Sequence, residues 1–269
     1  MDGLCLYCLR EKTEGPAAIS AKGIDEKGET FIIPYRQLEA VVSTVSLDEF
    51  GSEQIQRKAH EDLSWITQKS ITHEKIIEEA MIKNGKVLSV VPMRLGIIFK
   101  DKAGLENVLA RDYSKFKEIL EKIRGKREWS VKVYLADRSK FEQTTGEKND
   151  AIREKKKELA SLPEGMAFFM EEELKEIIAK EVDKELSDVV AGFFDRLAKH
   201  TAASIKNRIL QKELTGRREP MVLNSAYLIQ EKEIDDFKAE IEDLKREIQA
   251  QGFCLEYSGP WPAFNFTSF

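Results

Sequence analysis

Long apolar runs, a closed set of cysteine pairs, histidine clusters and glycine-rich phosphate loops are all missing from this 269-residue chain. Each absence removes a class of function. No apolar stretch approaches the ~18 residues of a membrane-spanning helix, and Met1-Asp2-Gly3-Leu4-Cys5 has neither the basic start nor the apolar core of a secretory signal. The expectation is an intracellular, cytoplasmic protein without a membrane span. Three cysteines, Cys5, Cys8 and Cys254, cannot all pair, which fits a reducing compartment. Cys5 and Cys8 have the spacing of a redox or metal pair, but on a strand residues three apart face opposite sides, so ordinary packing is expected. His60, His73 and His200 form no His-Glu-x-x-His spacing, and Gly23 and Gly28 make neither a Walker loop nor a dinucleotide fingerprint. Neither a metal nor a cofactor is expected.

Charge of one sign is also lacking. The formal net charge is -5 with 34% charged residues of both signs interspersed, so there is no global cationic field for nucleic acid or for an anionic membrane. The basic run Arg153 to Lys157 is diluted by Glu147, Asp150, Glu154 and Glu158 and has no stacking aromatics, so it reads as a solvated helix. Acids such as Glu171, Glu172, Glu173, Asp235 and Asp236 are plentiful, but catalysis needs them in a cleft with shifted pKa values. The alternative function is therefore a hydrolytic or nucleotide-dependent enzyme whose site, acids around Arg94, assembles only in the fold. Arg94 itself, between two apolar runs, is expected to meet a carboxylate or backbone carbonyls.

What is present reads as α+β. Strands are expected at Leu4–Leu9, Phe31–Tyr35, Leu38–Val45, Val87–Val91, Leu95–Phe99 and Glu128–Leu135, the last alternating Trp129, Val131, Val133 and Leu135 with polar residues. Amphipathic helices are expected over 52–81 and 102–123. The stretch 137–149 reads as a boundary or exposed bridge, dividing residues 1–137 from 138–269. In the second part a helix over 149–159 precedes a long one over 166–199, whose apolar surface runs from Leu174 and Ile177 to Leu197. Residues 201–214 read as partly helical and Met221–Ile229 as a strand. The helix over 231–250 then places Ile234, Phe237, Ile241, Leu244 and Ile248 on one seam, too short for an independent coiled coil. A last strand, Phe253–Tyr257, leads into the tail Gly259, Pro260, Trp261, Pro262, Phe264, Phe266 and Phe269, which reads as the closing part of the second domain. Leu162–Met166 is a further strand candidate.

Trp65 and His73 on the first helix, Val91-Pro92-Met93-Arg94-Leu95-Gly96-Ile97-Ile98-Phe99, Glu128-Trp129-Ser130-Val131-Lys132-Val133 and Ser258-Gly259-Pro260-Trp261-Pro262-Ala263-Phe264-Asn265-Phe266 resemble, in this order over nearly the whole chain, the gas vesicle protein family GvpF/GvpL. The resemblance implies two α+β domains, each a mainly antiparallel sheet packed by helices, with the N-terminal domain a ferredoxin-like variant. It implies a gas vesicle accessory protein, acting in assembly or as a minor vesicle component, with no enzymatic activity and no cofactor. The expected partner is the small hydrophobic shell protein GvpA, possible further partners being other accessory proteins, with no nucleic acid and no membrane. The landmarks are Trp65, His73, Pro92, Arg94, Gly96, Trp129, Lys132, Gly259, Pro260, Trp261 and Pro262, as packing anchors or contact residues. The domain junction and the helical faces Leu174–Leu197 and Ile234–Ile248 are the first places to seek a partner surface.

Overall fold

The computed structural model describes residues 1–15, 19–161 and 164–267. Its contacts divide the chain into two compact units, Met1–Glu128 with Pro260–Phe269, and Trp129–Gly259. The sequence places the division after residue 137 and keeps the tail with the second half; the contacts divide the chain after residue 128 and return the tail to the first unit.

The first unit opens with three strands, β1 (Asp2–Glu11), β2 (Thr30–Tyr35) and β3 (Leu38–Ser46). Helices α1 (Leu47–Phe50), α2 (Ser52–Glu61) and α3 (Leu63–Ala80) follow, then the small hairpin β4 (Ile82–Lys83) and β5 (Lys86–Val87). Strands β6 (Val90–Pro92) and β7 (Ile98–Phe99) and helices α4 (Lys102–Arg111) and α5 (Tyr113–Ile123) complete it. The main sheet runs β2-β3-β1-β6 with β7 also on β1, and every one of these pairings is antiparallel. Cys5, Tyr7, Val41 and Val45 pack with Ile76, Ile77 and Ala80 of α3. Ala40 and Val42, on the other face by alternation, are equally buried, and α4 and α5 reach the sheet at β1, β6 and β7.

Both continuous helices expected in this unit are broken at an aspartate. Asp62 (φ -137°) ends α2 and caps α3, its carboxylate accepting from the Trp65 N–H at 2.9 Å. Asp112 (φ -105°) separates α4 from α5. At Asp62 a short acidic side chain takes a backbone donor and so favours a cap over the continuation that the flanking apolar period suggests, whereas Asp112 makes no side-chain cap bond to α5 and pairs with Arg111 instead.

Strand β8 (Lys126–Leu135) carries the chain into the second unit, followed by α6 (Arg138–Lys148), α7 (Asp150–Ala160), α8 (Glu164–Ala198) and β9 (Ala203–Lys206). After the single turn α9 (Lys212–Thr215) come β10 (Met221–Gln230), α10 (Ile234–Gln249) and β11 (Phe253–Trp261). The sheet order is β11-β8-β10-β9. Strand, helix, strand, strand, helix, strand in that order is the ferredoxin-like arrangement. In the N-terminal unit three strands precede the first helix, so the element order there is not this one.

Trp129, Val131, Val133 and Leu135 alternate into one core with Leu223, Tyr227 and Ile229 of β10, roofed by Phe193 and Leu197 of α8 and by Phe237, Ile241, Leu244 and Ile248 of α10. The α10 seam is thus spent inside its own unit. Leu174 and Ile177, and Glu171, Glu172 and Glu173, lie outside the described side chains. So do residues 162–163 of the further strand candidate, while 164–166 already belong to α8. The expected bridge at 137–149 is largely helix: Asp137 accepts from the Lys140 N–H at 2.9 Å, and Phe141 alone supplies an anchor, 5.3 Å from the Phe253 ring. Residues 203–206 are a strand rather than helix because pairing with β10 overrides a weak local preference.

Candidate interaction site

Between β6 and β7 residues 93–97 leave the ladder, yet both ends stay tied to β1. The Met93 N–H donates to the Tyr7 carbonyl at 2.8 Å and the Leu6 N–H to the Ile97 carbonyl at 2.9 Å. Gly96 sits at φ +97°, a conformation open to glycine and strained for other residues. The result is a short arch. Arg94 stands exposed on it and forms no ion pair with another described residue. Leu95, Ile55, Trp65 and Phe264 are half-buried and pack against the core that includes Phe50, while Ile97 remains 40% exposed. The Trp65 and Phe50 ring centroids are 5.7 Å apart, and Lys58 Nζ lies 4.4 Å from the Trp65 centroid.

A buried polar group holds the arch from below. His73 Nε2 lies 2.8 Å from the Met93 carbonyl oxygen, which can only accept, so this nitrogen carries the proton. Burial depresses the His73 pKa and keeps the ring neutral; Nδ1 is buried without a partner. Tyr7, 5.0 Å from the His73 ring, accepts from the Ile24 N–H at 2.9 Å and shares a 2.6 Å hydrogen bond with Ser43 Oγ. Cys5 and Cys8 share this cluster instead of facing opposite ways, because the β1–β3 register shifts between Leu6 and Cys8. Burial pushes both thiols up to about 12, so they are packing groups. Pro92 is buried where β6 ends, opposite Cys8.

Two of the motif segments meet at Glu128. Its carboxylate is 4% exposed and accepts from the Asn265 backbone N–H at 3.0 Å and from Asn265 Nδ2 at 2.6 Å. Burial outweighs these donors and pushes the Glu128 pKa up to about 7. The pair escaped the sequence reading, although both residues lie inside quoted motifs: nothing in either segment says that they touch. Along the tail, Gly259 takes φ +149°, Pro260 is exposed, Trp261 half-buried and Pro262 buried.

The remaining landmarks belong to the second unit. Trp129 is a core side chain, its ring 6.1 Å from Tyr257 with Lys238 Nζ 4.8 Å from its centroid. Half-buried Lys132 borders a shallow hollow with Ser130, Lys245 and Tyr257. Trp65, His73, Pro92, Arg94 and Gly96 therefore converge on one arch, which Trp129 and Lys132 do not join. A second apolar surface of the first unit is an open hollow of about 480 Å³ beside the edge strand β2, lined by Leu4, Phe31, Ile33 and Pro34. Among the described residues no three His, Cys, Asp or Glu side chains gather as a metal site, and no helix is long and apolar enough to cross a membrane.

Residues 3–268 match the family described as gas vesicle synthesis protein GvpL/GvpF. Gas vesicle protein L1 of Halobacterium salinarum is 24% identical, over 98% of this chain and 90% of the relative. Gas vesicle protein L of a Streptomyces species is 23% identical, over 97% and 91% respectively. The crystal structure of GvpF from Anabaena sp. PCC7120 superposes with a TM-score of 0.70 at 18% identity, covering 100% of this chain and 97% of that one, a likeness of fold. The sequence motifs, their order and the match over nearly the full length agree, and this chain belongs to the GvpL/GvpF family of gas vesicle synthesis proteins.

Proposed function

We propose that this protein is a cytoplasmic accessory factor in gas vesicle formation that binds the small hydrophobic shell protein GvpA, with other gas vesicle proteins as further partners. Family membership supports the association with gas vesicles. The observation that carries the binding surface is the arch: an exposed cation, Arg94, and a 40% exposed Ile97 over a half-open aromatic cluster, on a backbone tied at both ends. A strongly apolar subunit needs such a partly apolar, partly charged cover, which holds it reversibly until shell contacts replace it. Several buried or half-buried acids are engaged in ion pairs. Glu39 pairs with Arg10, Glu11 with Lys117 and Arg124, and Glu240 with Arg196.

Shell-protein peptides titrated against purified protein test this reading. Arg94→Glu with Ile97→Ser, confirmed folded, is expected to weaken binding roughly tenfold or more, as loss of an interface anchor does. Unchanged affinity in the folded variant would remove the arch from the binding surface.

A further inference from the structure

The loop joining β9 to β10 in the second unit shows large apolar side chains to water. Leu214 is 72% exposed and Ile209 44%. Such exposure on a floppy loop would carry little information, but this one is pinned. The Asn207 N–H donates to the Asn224 carbonyl at 2.7 Å, and Asn224 Nδ2 donates to the Arg208 carbonyl at 2.8 Å. Gly216, at φ +66°, closes α9 with its N–H on the Lys212 carbonyl at 2.9 Å. Arg217 lies over the Tyr134 ring at 4.4 Å and ion-pairs with Glu256. The backbone is held by its own unit while Ile209 and Leu214 face outward, the arrangement of a preorganised contact.

Charge says what it should contact. Residues 206–219 carry Lys206, Arg208, Lys212, Arg217 and Arg218 against Glu213 and Glu219, a net +3 within a chain of formal charge -5. Arg208, Lys212 and Arg218 are exposed and form no ion pair with another described residue. We propose that this loop is a docking knob for an acidic protein surface, with Leu214 and Ile209 seated in an apolar recess rimmed by carboxylates that meet Arg208, Lys212 and Arg218. A lipid surface fits less well: α9 is a single turn of four residues, far short of an interfacial helix, and two glutamates sit among the cations. Nucleic acid fits less well too, since residues 206–219 contain no aromatic side chain to stack on a base. The proposal rests on the reading that this protein works among gas vesicle proteins, and it concerns the second unit, whereas the arch belongs to the first.

Each of the other gas vesicle proteins of the same gene set, purified, is titrated against the full-length protein at low and high salt. Leu214→Ser and the triple reversal Arg208→Glu, Lys212→Glu, Arg218→Glu are run beside the parent, all checked for native circular dichroism. An acidic partner should bind the parent protein, lose roughly tenfold or more with Leu214→Ser, and lose most binding with the triple reversal. Binding of the parent should weaken as salt rises. If a gas vesicle protein binds but both loop variants bind it equally well, the knob is refuted while the accessory function stands. If none binds the parent protein, both fall. Loop variants that instead lose self-association, or lose adsorption to phosphatidylserine vesicles, would also overturn the proposal by assigning the loop to a second copy or to lipid.

Discussion

Glu128 and His73 are both buried in the first unit in a form that prefers no charge, and they respond to acid in opposite directions. The native Glu128 pKa of about 7 is above its ordinary 4.5, so the native state holds a proton that the unfolded chain releases. Its contribution is fully present below about pH 4.5 and is lost as pH rises through about 7, by up to about 3 kcal/mol. His73 is shifted below 6.5, so its contribution is present above that value and is lost as pH falls through its depressed pKa. In the parent protein the two slopes partly cancel in the mildly acidic range. Glu128→Gln should uncover more of the His73 slope: urea midpoints of the variant should fall more steeply on acidification from neutral pH than those of the parent. Parallel profiles for the two proteins would contradict the burial argument. At Gly96 the argument is steric and backbone-borne. A Cβ there meets only Ile55 at 3.8 Å, so space is not limiting, but φ +97° is. Gly96→Ala should cost about 1–2 kcal/mol in denaturant unfolding, without any change in core volume. Gly96 could be singled out from the sequence, inside its motif. Glu128 with Asn265 could not, since the two are 137 positions apart and neither is unusual locally.

Among the elements, β8 was legible because period-two alternation from Trp129 to Leu135 has one structural solution, and α10 because its apolar seam keeps the helical step. The breaks at Asp62 and Asp112 were not, because the apolar period continues on either side and only the local backbone geometry distinguishes a stop. Asp62→Ala should therefore cost about 1 kcal/mol by removing the cap on α3 and loosening the Trp65 turn, seen as a lower melting temperature and altered Trp fluorescence. The α6 helix escaped for the opposite reason: one apolar residue, Phe141, gives no period to read. Helices α8 and α10 are fastened at their rim by Arg196, which donates to Glu240 and Glu247. These groups are partly exposed, so Arg196→Ala should cost only about 0.5–1 kcal/mol at low salt and less at high salt, measurable by denaturant titration at both.

At the scale of the whole molecule, the chain crosses between units twice, after Glu128 and after Gly259. Both crossings fall inside strands, β8 and β11, where the sequence pattern runs on without punctuation. That is why composition suggested a later boundary: the polar stretch at 137–149 looks like a linker, whereas a strand shared by two units does not. A chain ending at Gly259 should lose Phe264 from the cluster under the arch and leave Glu128 without its Asn265 donors. Hydrogen exchange should then show protection falling in residues 1–128, by about 2–4 kcal/mol, with the core of residues 129–259 retained. Equal loss in both units would contradict this division.

The return of the tail also bears on the order of events at the ribosome. Synthesis delivers residues 1–128 before the second unit, but the segment that completes their packing follows the whole of that unit. The first unit therefore completes its packing only when residues 260–267 arrive, and until then Phe264 is missing beside its core and Asn265 is missing from Glu128. A nascent chain of this protein would present that incomplete packing to chaperones or to its first partner for most of its translation.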